Sequence, residues 1–311
     1  MSFPITIRQL QIFQEVAKQM SFTRAAKFLH LSQPAVSMQV KQLENISGLP
    51  LFETIGKSVS LTEAGKEMLR LSRQVLENLA EMEEVFASLS GVESGTLNLA
   101  VPETAHQFMT LVLAEFRKAH PNIRFNLLIA NRQGLLDHMH DNTTDLVIMG
   151  QPPDNMPLTS IGFMENPLVV IAAPDHPLTR HNHIPLTELV KYEFVVRETG
   201  SGTRLAMKRF FNEHNVSLRA TIEVTNNEAI KHSVAAGLGL GIVSLHTLQQ
   251  ELALKQVSIL DVMEFPIQRI WFAVHHQNKQ LGPATRAFLE FTIKNTRTIW
   301  LQGFPRIAKW I

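Results

Sequence analysis

Four short segments place polar and basic side chains where a strand pattern hands over to a helical one. Gly200-Ser201-Gly202-Thr203-Arg204 follows an apolar run ending near Arg197 and opens a helix near Thr203. Glycines let the backbone approach a ligand, the first helical N–H groups are free donors, and Arg204 adds a charge-assisted fork, so the segment suits an anion. A flexible turn with a solvated Arg204 is the plainer alternative. Asn226-Asn227-Glu228-Ala229-Ile230-Lys231 has the same place in the pattern, and by itself reads as a helix cap. Pro102-Glu103-Thr104-Ala105 and Asn131-Arg132 close two further strands. Ligands of open α/β sheets collect beyond the carboxyl ends of the strands. Four such junctions therefore favour one shared cleft over four separate turns.

A second constellation lies in residues 1–60. Phe22–Leu29, capped by Ser21, and a helix from Ser32 to about Ile46 are joined by His30-Leu31, a helix-turn-helix spacing. Pro34 sits in the first turn, where its missing N–H costs nothing. Ser32, Gln33, Ser37, Gln39 and Lys41 give the second helix a polar, basic face. Gln bridges the edge of adenine, and Ser or Lys reads several base edges or a phosphate. Three small helices that merely pack on one another would show the same spacing. Local charge argues for nucleic acid: residues 1–60 hold six Lys and Arg against three Glu, whereas residues 61–89 reverse that ratio.

Other chemistry finds little support. His138-Met139-His140-Asp141, His181-Asn182-His183 and His275-His276 lack the i, i+4 spacing of a helical metal site. Gly237-Leu238-Gly239-Leu240-Gly241 precedes a strand rather than following one, and reads as a packing turn. No Gly-x-Ser-x-Gly elbow or Walker loop occurs, so no enzyme is expected. The chain has 311 residues, no cysteine, 18% charged residues and a formal charge of +1, which excludes disulfide scaffolds and thiolate metal sites. Its longest uncharged apolar stretch, Val234 to Leu245, is short of the ~20 residues of a spanning helix. With no signal-peptide pattern at Met1-Ser2-Phe3-Pro4, a cytoplasmic location without membrane contact is expected.

The supporting elements follow from periodicity. Thr6 caps a first helix with Leu10, Phe13, Val16 and Ala17 on one face, and Phe52 to Leu61 suit a small hairpin. Thr62 opens a proline-free helix to about Leu89 whose Met68, Ser72, Val75, Leu79, Met82, Phe86 and Leu89 alternate steps of four and three, a coiled-coil seam. Packing of that long helix on its own domain is the alternative. Beyond a hinge at Gly91–Gly95, strands at 96–101, 124–130, 145–149, 167–173, 194–197, 221–224, 240–243 and 270–275 alternate with helices at 111–119, 134–140, 203–214, 228–236, 246–254 and 283–295. Such alternation gives an α/β sheet with helices on both faces. The apolar run at 167–173 reads as a buried parallel strand.

Several blocks then become recognisable: Ser21-Phe22-Thr23-Arg24-Ala25-Ala26, Leu31-Ser32-Gln33-Pro34-Ala35-Val36-Ser37, Gln42-Leu43-Glu44, Leu51-Phe52-Glu53 and Leu61-Thr62-Glu63-Ala64-Gly65. Together they resemble the LysR-type transcriptional regulators, over the whole chain. The resemblance implies an α/β fold class with an N-terminal winged helix-turn-helix, a long linker helix and a two-subdomain effector domain similar to periplasmic solute-binding proteins. The implied divisions are a DNA-binding domain at 1–61, a dimerising helix at 62–90, an effector domain at 91–295 (about 95–165 plus 266–295, and 166–265) and a tail at 296–311. Ser32, Gln33, Pro34 and Ser37 would read double-stranded promoter DNA, with Thr23, Arg24 and Lys57 on phosphates and Met38, Gln39 and Lys41 completing the face. Many members carry Arg at the place of Met38 and basic wing residues at Thr54 and Ser58. Met38 can touch a thymine methyl but cannot make a bidentate guanine contact. Each head is therefore expected to bind modestly, with specificity depending on homodimer or homotetramer spacing.

Within the family the chain is similar to regulators of the ribulose bisphosphate carboxylase operon, in Asn131-Arg132, Met149-Gly150-Gln151-Pro152-Pro153, Asn166 to Ala172, Pro174 to Leu178, Arg197-Glu198, Gly200 to Arg204, Asn227 to Lys231 and Ser244 to Leu248. This implies no resident cofactor but a small effector: a phosphorylated sugar, a phosphoenolpyruvate-like acid or NADPH. Its contacts would come from Glu103, Thr104, Asn131, Arg132, Gly150, Gln151, Gly200, Ser201, Gly202, Thr203, Arg204 and Asn227, and RNA polymerase is a further implied partner. A regulator of another metabolic operon is one alternative. A solute-binding protein is another, though it leaves residues 1–89 idle. One stretch departs: the subgroup has two hydroxyl residues, Ala and Lys where this chain has Glu103-Thr104-Ala105-His106. Either the ligand carries less negative charge, or Glu103 points away.

Overall fold

Thr6 and Gln9 form a reciprocal capping box that opens helix α1 (Ile7–Gln19) in the computed structural model. The structure describes residues 4–55, 58–89 and 94–303, in two units, the first of residues 1–90 with 141–143 and the second of the rest. In the first unit, Ser21 and Ser32 cap α2 (Phe22–Phe28) and α3 (Gln33–Ser47), and Gly48 ends α3 in a left-handed conformation with φ 71°. Strands β1 (Phe52–Ile55) and β2 (Ser58–Leu61) pair antiparallel as a wing, and α4 (Glu63–Leu89) follows. Ile12, Val16, Ala25, Ala26, Val36 and Val40 pack the three short helices together. A second cluster joins Leu10, Phe13, Leu43 and Leu51 to Met68, Leu69 and Leu76 of α4. Each fully buried side chain of this kind stabilises the fold by about 1.5–3 kcal/mol.

The second unit runs β3 (Gly95–Val101), α5 (Glu103–Ala119), β4 (Ile123–Ile129), α6 (Arg132–His140), β5 (Leu146–Met149), β6 (Leu158–Glu165), β7 (Leu168–Ala172), α7 (Leu186–Leu189), β8 (Glu193–Arg197), α8 (Gly202–Glu213), β9 (Arg219–Val224), α9 (Asn227–Ala235), β10 (Leu240–Ser244), α10 (Gln249–Ala253), β11 (Ser258–Ile259), β12 (Ile270–His276) and α11 (Pro283–Gly303). These strands form two five-stranded sheets, in orders β4-β3-β5-β12-β6 and β11-β7-β10-β8-β9. Two crossover segments connect the sheets and are bonded to each other: Asn166 N–H donates to the Arg269 carbonyl at 2.7 Å, and Leu168 and Ile267 exchange a pair of 3.0 Å bonds.

Several elements differ from the sequence expectation. The run at 167–173 is a buried strand but not a parallel one, since β7 pairs antiparallel with both β10 and β11. Its continuous apolar pattern reflects layers covering both faces of the sheet, which mixed sheets share with parallel ones. Helix α5 begins at Glu103, well before the expected Leu111, because Pro102 presets the backbone for a helix start. The stretch 246–254 is divided into a tight turn at Leu245–Thr247 and the short α10. Helix α11 runs on to Gly303, so residues 296–303 continue it and Trp300 is buried; Trp310 lies outside the described residues. The packing turn is real: Gly239, at φ +143°, lies so close to β8 that a Cβ would sit 2.6 Å from the Glu193 carbonyl oxygen.

Candidate functional site

The carboxyl ends of β3, β4, β5 and β8 open onto one cavity of about 530 Å3, counting its open mouth. Glu103 and Thr104 reach it from the start of α5, Asn131 and Arg132 from the start of α6, Gly150 and Gln151 from the end of β5, and Ser201, Gly202 and Thr203 from the start of α8. Ser201 caps α8 by accepting from the Arg204 N–H, which aligns the first free donors of that helix with the cavity. Gly200, Arg204 and Asn227 do not line it. Arg204 Nε and Nη1 are buried without a hydrogen-bond partner, as are both side-chain atoms of Asn227. Seven lining residues are not among the contacts named from sequence: Pro102, Leu135, Met149, Arg197, Leu205, Arg269 and Trp271.

Two of the three cavity guanidiniums have no carboxylate among the described residues. Arg132 Cδ and Arg269 Nη2 both come within 3.8 Å of the point where a Cβ on Gly202 would stand. Arg269 also lies against Gly150, whose missing side chain makes room for it. Burial, and then the charge of Arg132, pushes the Arg269 pKa down to about 10, and burial lowers that of Arg132. Like charges gathered at a helix start leave an electrostatic demand that an anion meets.

The third, Arg197, is satisfied within the protein. It forks onto Glu198 at 2.8 and 3.2 Å and meets Glu103 Oε2 at 3.5 Å and the Thr225 carbonyl at 3.2 Å. The same Glu103 oxygen accepts from the Asn227 N–H at 2.9 Å, so this carboxylate, on a residue that lines the cavity, ties α5 to α9. Asn131 Nδ2 donates to Glu198 Oε1 at 3.1 Å, a second bridge between the subdomains. Burial alone would raise the Glu198 pKa, but the bonds from Arg197 and Asn131 outweigh it and hold this carboxyl below its ordinary value.

Behind the cavity, the Trp271 indole N–H donates to Nδ1 of the buried His246, which packs on Phe108 and Trp300. Burial pushes the His246 pKa down to about 3 from 6.5. The unfolded chain therefore binds more protons than the folded one between those values. Stability is complete above pH 6.5 and falls as pH drops toward 3. At pH 4.5 the loss from this ring is roughly 2–3 kcal/mol. Urea unfolding at pH 7 and 4.5 measures it, and His246→Gln, which keeps an acceptor for Trp271, is expected to remove most of the difference. Parallel losses in both proteins would mean that the ring is protonated in the fold.

In the first unit, α3 presents Ser32, Gln33, Pro34, Met38 and Lys41 to solvent, with Ser37 and Gln39 half-buried beside them. Gln33 Nε2 donates to Ser37 Oγ at 2.8 Å, which links two side chains one turn apart. Thr23 and Arg24 are exposed at the start of α2, with the Arg24 guanidinium resting on the Gln19 carbonyl. Lys41 pairs with Glu44 at 3.2 Å. Glu44 has a role the sequence reading missed: its Oε1 accepts from the N–H groups of Leu51 and Phe52, tying α3 to the wing. Lys57 lies outside the described residues.

Residues 7–66 match the family model for the bacterial regulatory helix-turn-helix protein, lysR family, and residues 90–297 match that for the LysR substrate binding domain. The chain belongs to the LysR family. It is 49% identical over 289 residues to a RuBisCO operon transcriptional regulator of Allochromatium vinosum, covering 93% of this chain and 96% of that relative. A regulator of the same description in Acidithiobacillus ferrooxidans is 44% identical over 286 residues, covering 92% and 93%. The regulatory domain of Synechocystis PCC6803 CcmR, solved in complex with 2-PG, superposes with a TM-score of 0.64 at 41% identity, covering 66% of this chain and 98% of that one.

As a LysR-family protein the chain is a DNA-binding transcriptional regulator with an effector-binding domain, and its relatives are regulators rather than enzymes. No helix among its described residues is long and apolar enough to cross a membrane. The long LysR helix α4 divides its seam. Met68 packs on the head and Ser72 Oγ accepts from Gln14, whereas Val75 and Met82 are 45% and 54% exposed, Leu79 is half-buried and Phe86 is exposed. The side chain of Leu89 lies outside the described residues.

Proposed function

We propose that this LysR-family regulator controls carbon-fixation genes from promoter DNA, as a cytoplasmic homodimer or homotetramer switched by a small organic phosphate. The Arg132–Arg269 pair at the start of α8, with no carboxylate among the described residues, carries the ligand assignment. The gene class is supported by relatives of 49% and 44% identity whose descriptions name the RuBisCO operon. One phosphate between two guanidiniums suits a phosphorylated sugar or a phosphoenolpyruvate-like acid better than NADPH, whose phosphates are spread between two nucleotide halves.

Arg132 belongs to one subdomain, α8 to the other, and Arg269 to the crossover between them. A ligand held by all three favours the closed cleft and shifts a pre-existing population. Closure re-spaces two heads paired through α4, changing their grip on promoter DNA and their contact with RNA polymerase. The head would read bases through Ser32, Gln33, Pro34, Ser37, Met38 and Gln39, with Thr23, Arg24, Lys41 and Lys57 on or near phosphates.

The test is binding of the full chain to a duplex carrying the carboxylase promoter of its own genome, across a salt series. A log–log slope of roughly −4 to −8 is expected for a dimer touching ~5–9 phosphates. A phosphorylated acid should shift the curve, and NADPH should not. A flat salt dependence, or equal binding to a scrambled duplex, overturns the reading.

A further inference from the structure

Glu103 lines the cavity with its carboxylate already engaged by protein donors. Its Oε2 receives the Asn227 N–H at the start of α9 and faces Arg197 Nη1 at 3.5 Å. Arg197 is only 5% exposed, and the Asn227 side chain is 2% exposed with neither polar atom hydrogen-bonded. The Nη1 side of Arg197, whose Nε and Nη2 fork onto Glu198, and the helix-start N–H of Asn227 make up a donor set that suits a carboxylate or phosphate. The protein fills it with its own side chain. In the same cavity, Arg132 and Arg269 meet no carboxylate among the described residues.

We propose that Glu103 is a tethered anion that determines ligand specificity, reserving the cleft for ligands with a single phosphate and excluding those with a second phosphate. The proposal rests on the reading of the cavity as an organic-phosphate site. Glu103 and Glu198 already share Arg197, so a second phosphate reaching it must displace the Glu103 carboxylate or stand beside it as a third anion on one buried guanidinium, which the like charges repel strongly. The chain thus divides its cavity into an open anion subsite at α8 and a self-occupied one at α5 and α9.

Ribulose 5-phosphate and ribulose 1,5-bisphosphate differ by one phosphate and make the test. Their affinities, with that of inorganic phosphate, are measured by calorimetry on the full-length protein and on Glu103→Gln and Glu103→Ala. Gln and Ala are good helix formers, so both variants keep the first turn of α5. Neutralising residue 103 raises affinity for every anion somewhat, so the readout is the ratio of bisphosphate to monophosphate affinity. The wild type is expected to prefer the monophosphate, and the ratio to rise at least about tenfold in both variants, as removal of one close like charge implies. A ratio within about threefold of wild type in both variants, with the monophosphate still bound, overturns the tethered-anion role and leaves the phosphate reading standing. Preference of the wild type for the bisphosphate does the same. If the wild type binds none of the three probes, both readings fall.

Discussion

Arg269→Ala is expected to abolish the response to phosphate-bearing ligands while leaving ligand-free DNA binding intact. Arg269 enters the cavity from the crossover segment before β12, meets no carboxylate among the described residues, and shares its neighbourhood with Arg132. Deleting one member of a buried charge-assisted contact costs about 2–5 kcal/mol, or roughly 30- to 5000-fold in ligand affinity. The same deletion removes a like-charge contact and a buried charge from the empty protein. The variant should therefore melt no lower than wild type without ligand, yet gain nothing when phosphate is added. A variant that simply unfolds would melt lower in both conditions. Arg204→Ala is the matched control: Arg204 follows the capping serine of α8 but does not line the cavity. If the response is lost with Arg204 and survives without Arg269, the phosphate lies on the other side of that helix start.

The second large effect concerns α4. Replacing Val75 and Met82 together with Glu is expected to convert a dimer to a monomer and to weaken operator binding by ~10²- to 10⁴-fold, the loss that follows when two linked heads bind separately. Both positions are about half exposed in the single chain, and Glu favours helices, so the head and its rod should stay folded. Sedimentation velocity reads the assembly, and circular dichroism checks the helix. A dimer that persists through both carboxylates would place the subunit contact elsewhere. Met68 is unsuitable for this test because it packs on the head through the cluster with Leu10 and Phe13.

The head was readable because its signals are local. Thr6, Ser21 and Ser32 each cap the helix they precede, and Gly48 ends α3, all within one turn of the residues that reveal them. Strand-to-helix junctions were readable for the same reason, and nine of the twelve residues named for the cleft do line one cavity. The exceptions are instructive. Arg204 stands one position beyond Thr203, and on a helix one position turns a side chain by ~100°, enough to leave the cavity wall. Arg269 carried no local signal: a lone Arg before a strand becomes a cavity residue only because the chain crosses back between two sheets, bringing it beside Gly150 and Gly202. The direction of β7 was hidden likewise, since burial on two faces shapes a sequence in the same way whichever direction the neighbours run. Glu103, expected from sequence either to go with a less negatively charged ligand or to point away, lines the cavity while its carboxylate meets Arg197 and the Asn227 N–H.

Strand β12 stands between β5 and β6 in its sheet, and β6 has no other partner there. On the ribosome, residues 158–165 therefore emerge long before the strand at 270–276 that will hold them. At ~5–20 residues per second the delay is on the order of ten seconds. The inserted sheet, whose strands all lie between Leu168 and Ile259, is complete in the nascent chain first. The earlier sheet begins as three parallel strands with an uncovered edge at β5, and closes only when its last strand arrives. During synthesis, the half of the domain that is written first is thus finished last, and its waiting edge is the place where a nascent-chain chaperone or a mispaired neighbour would act.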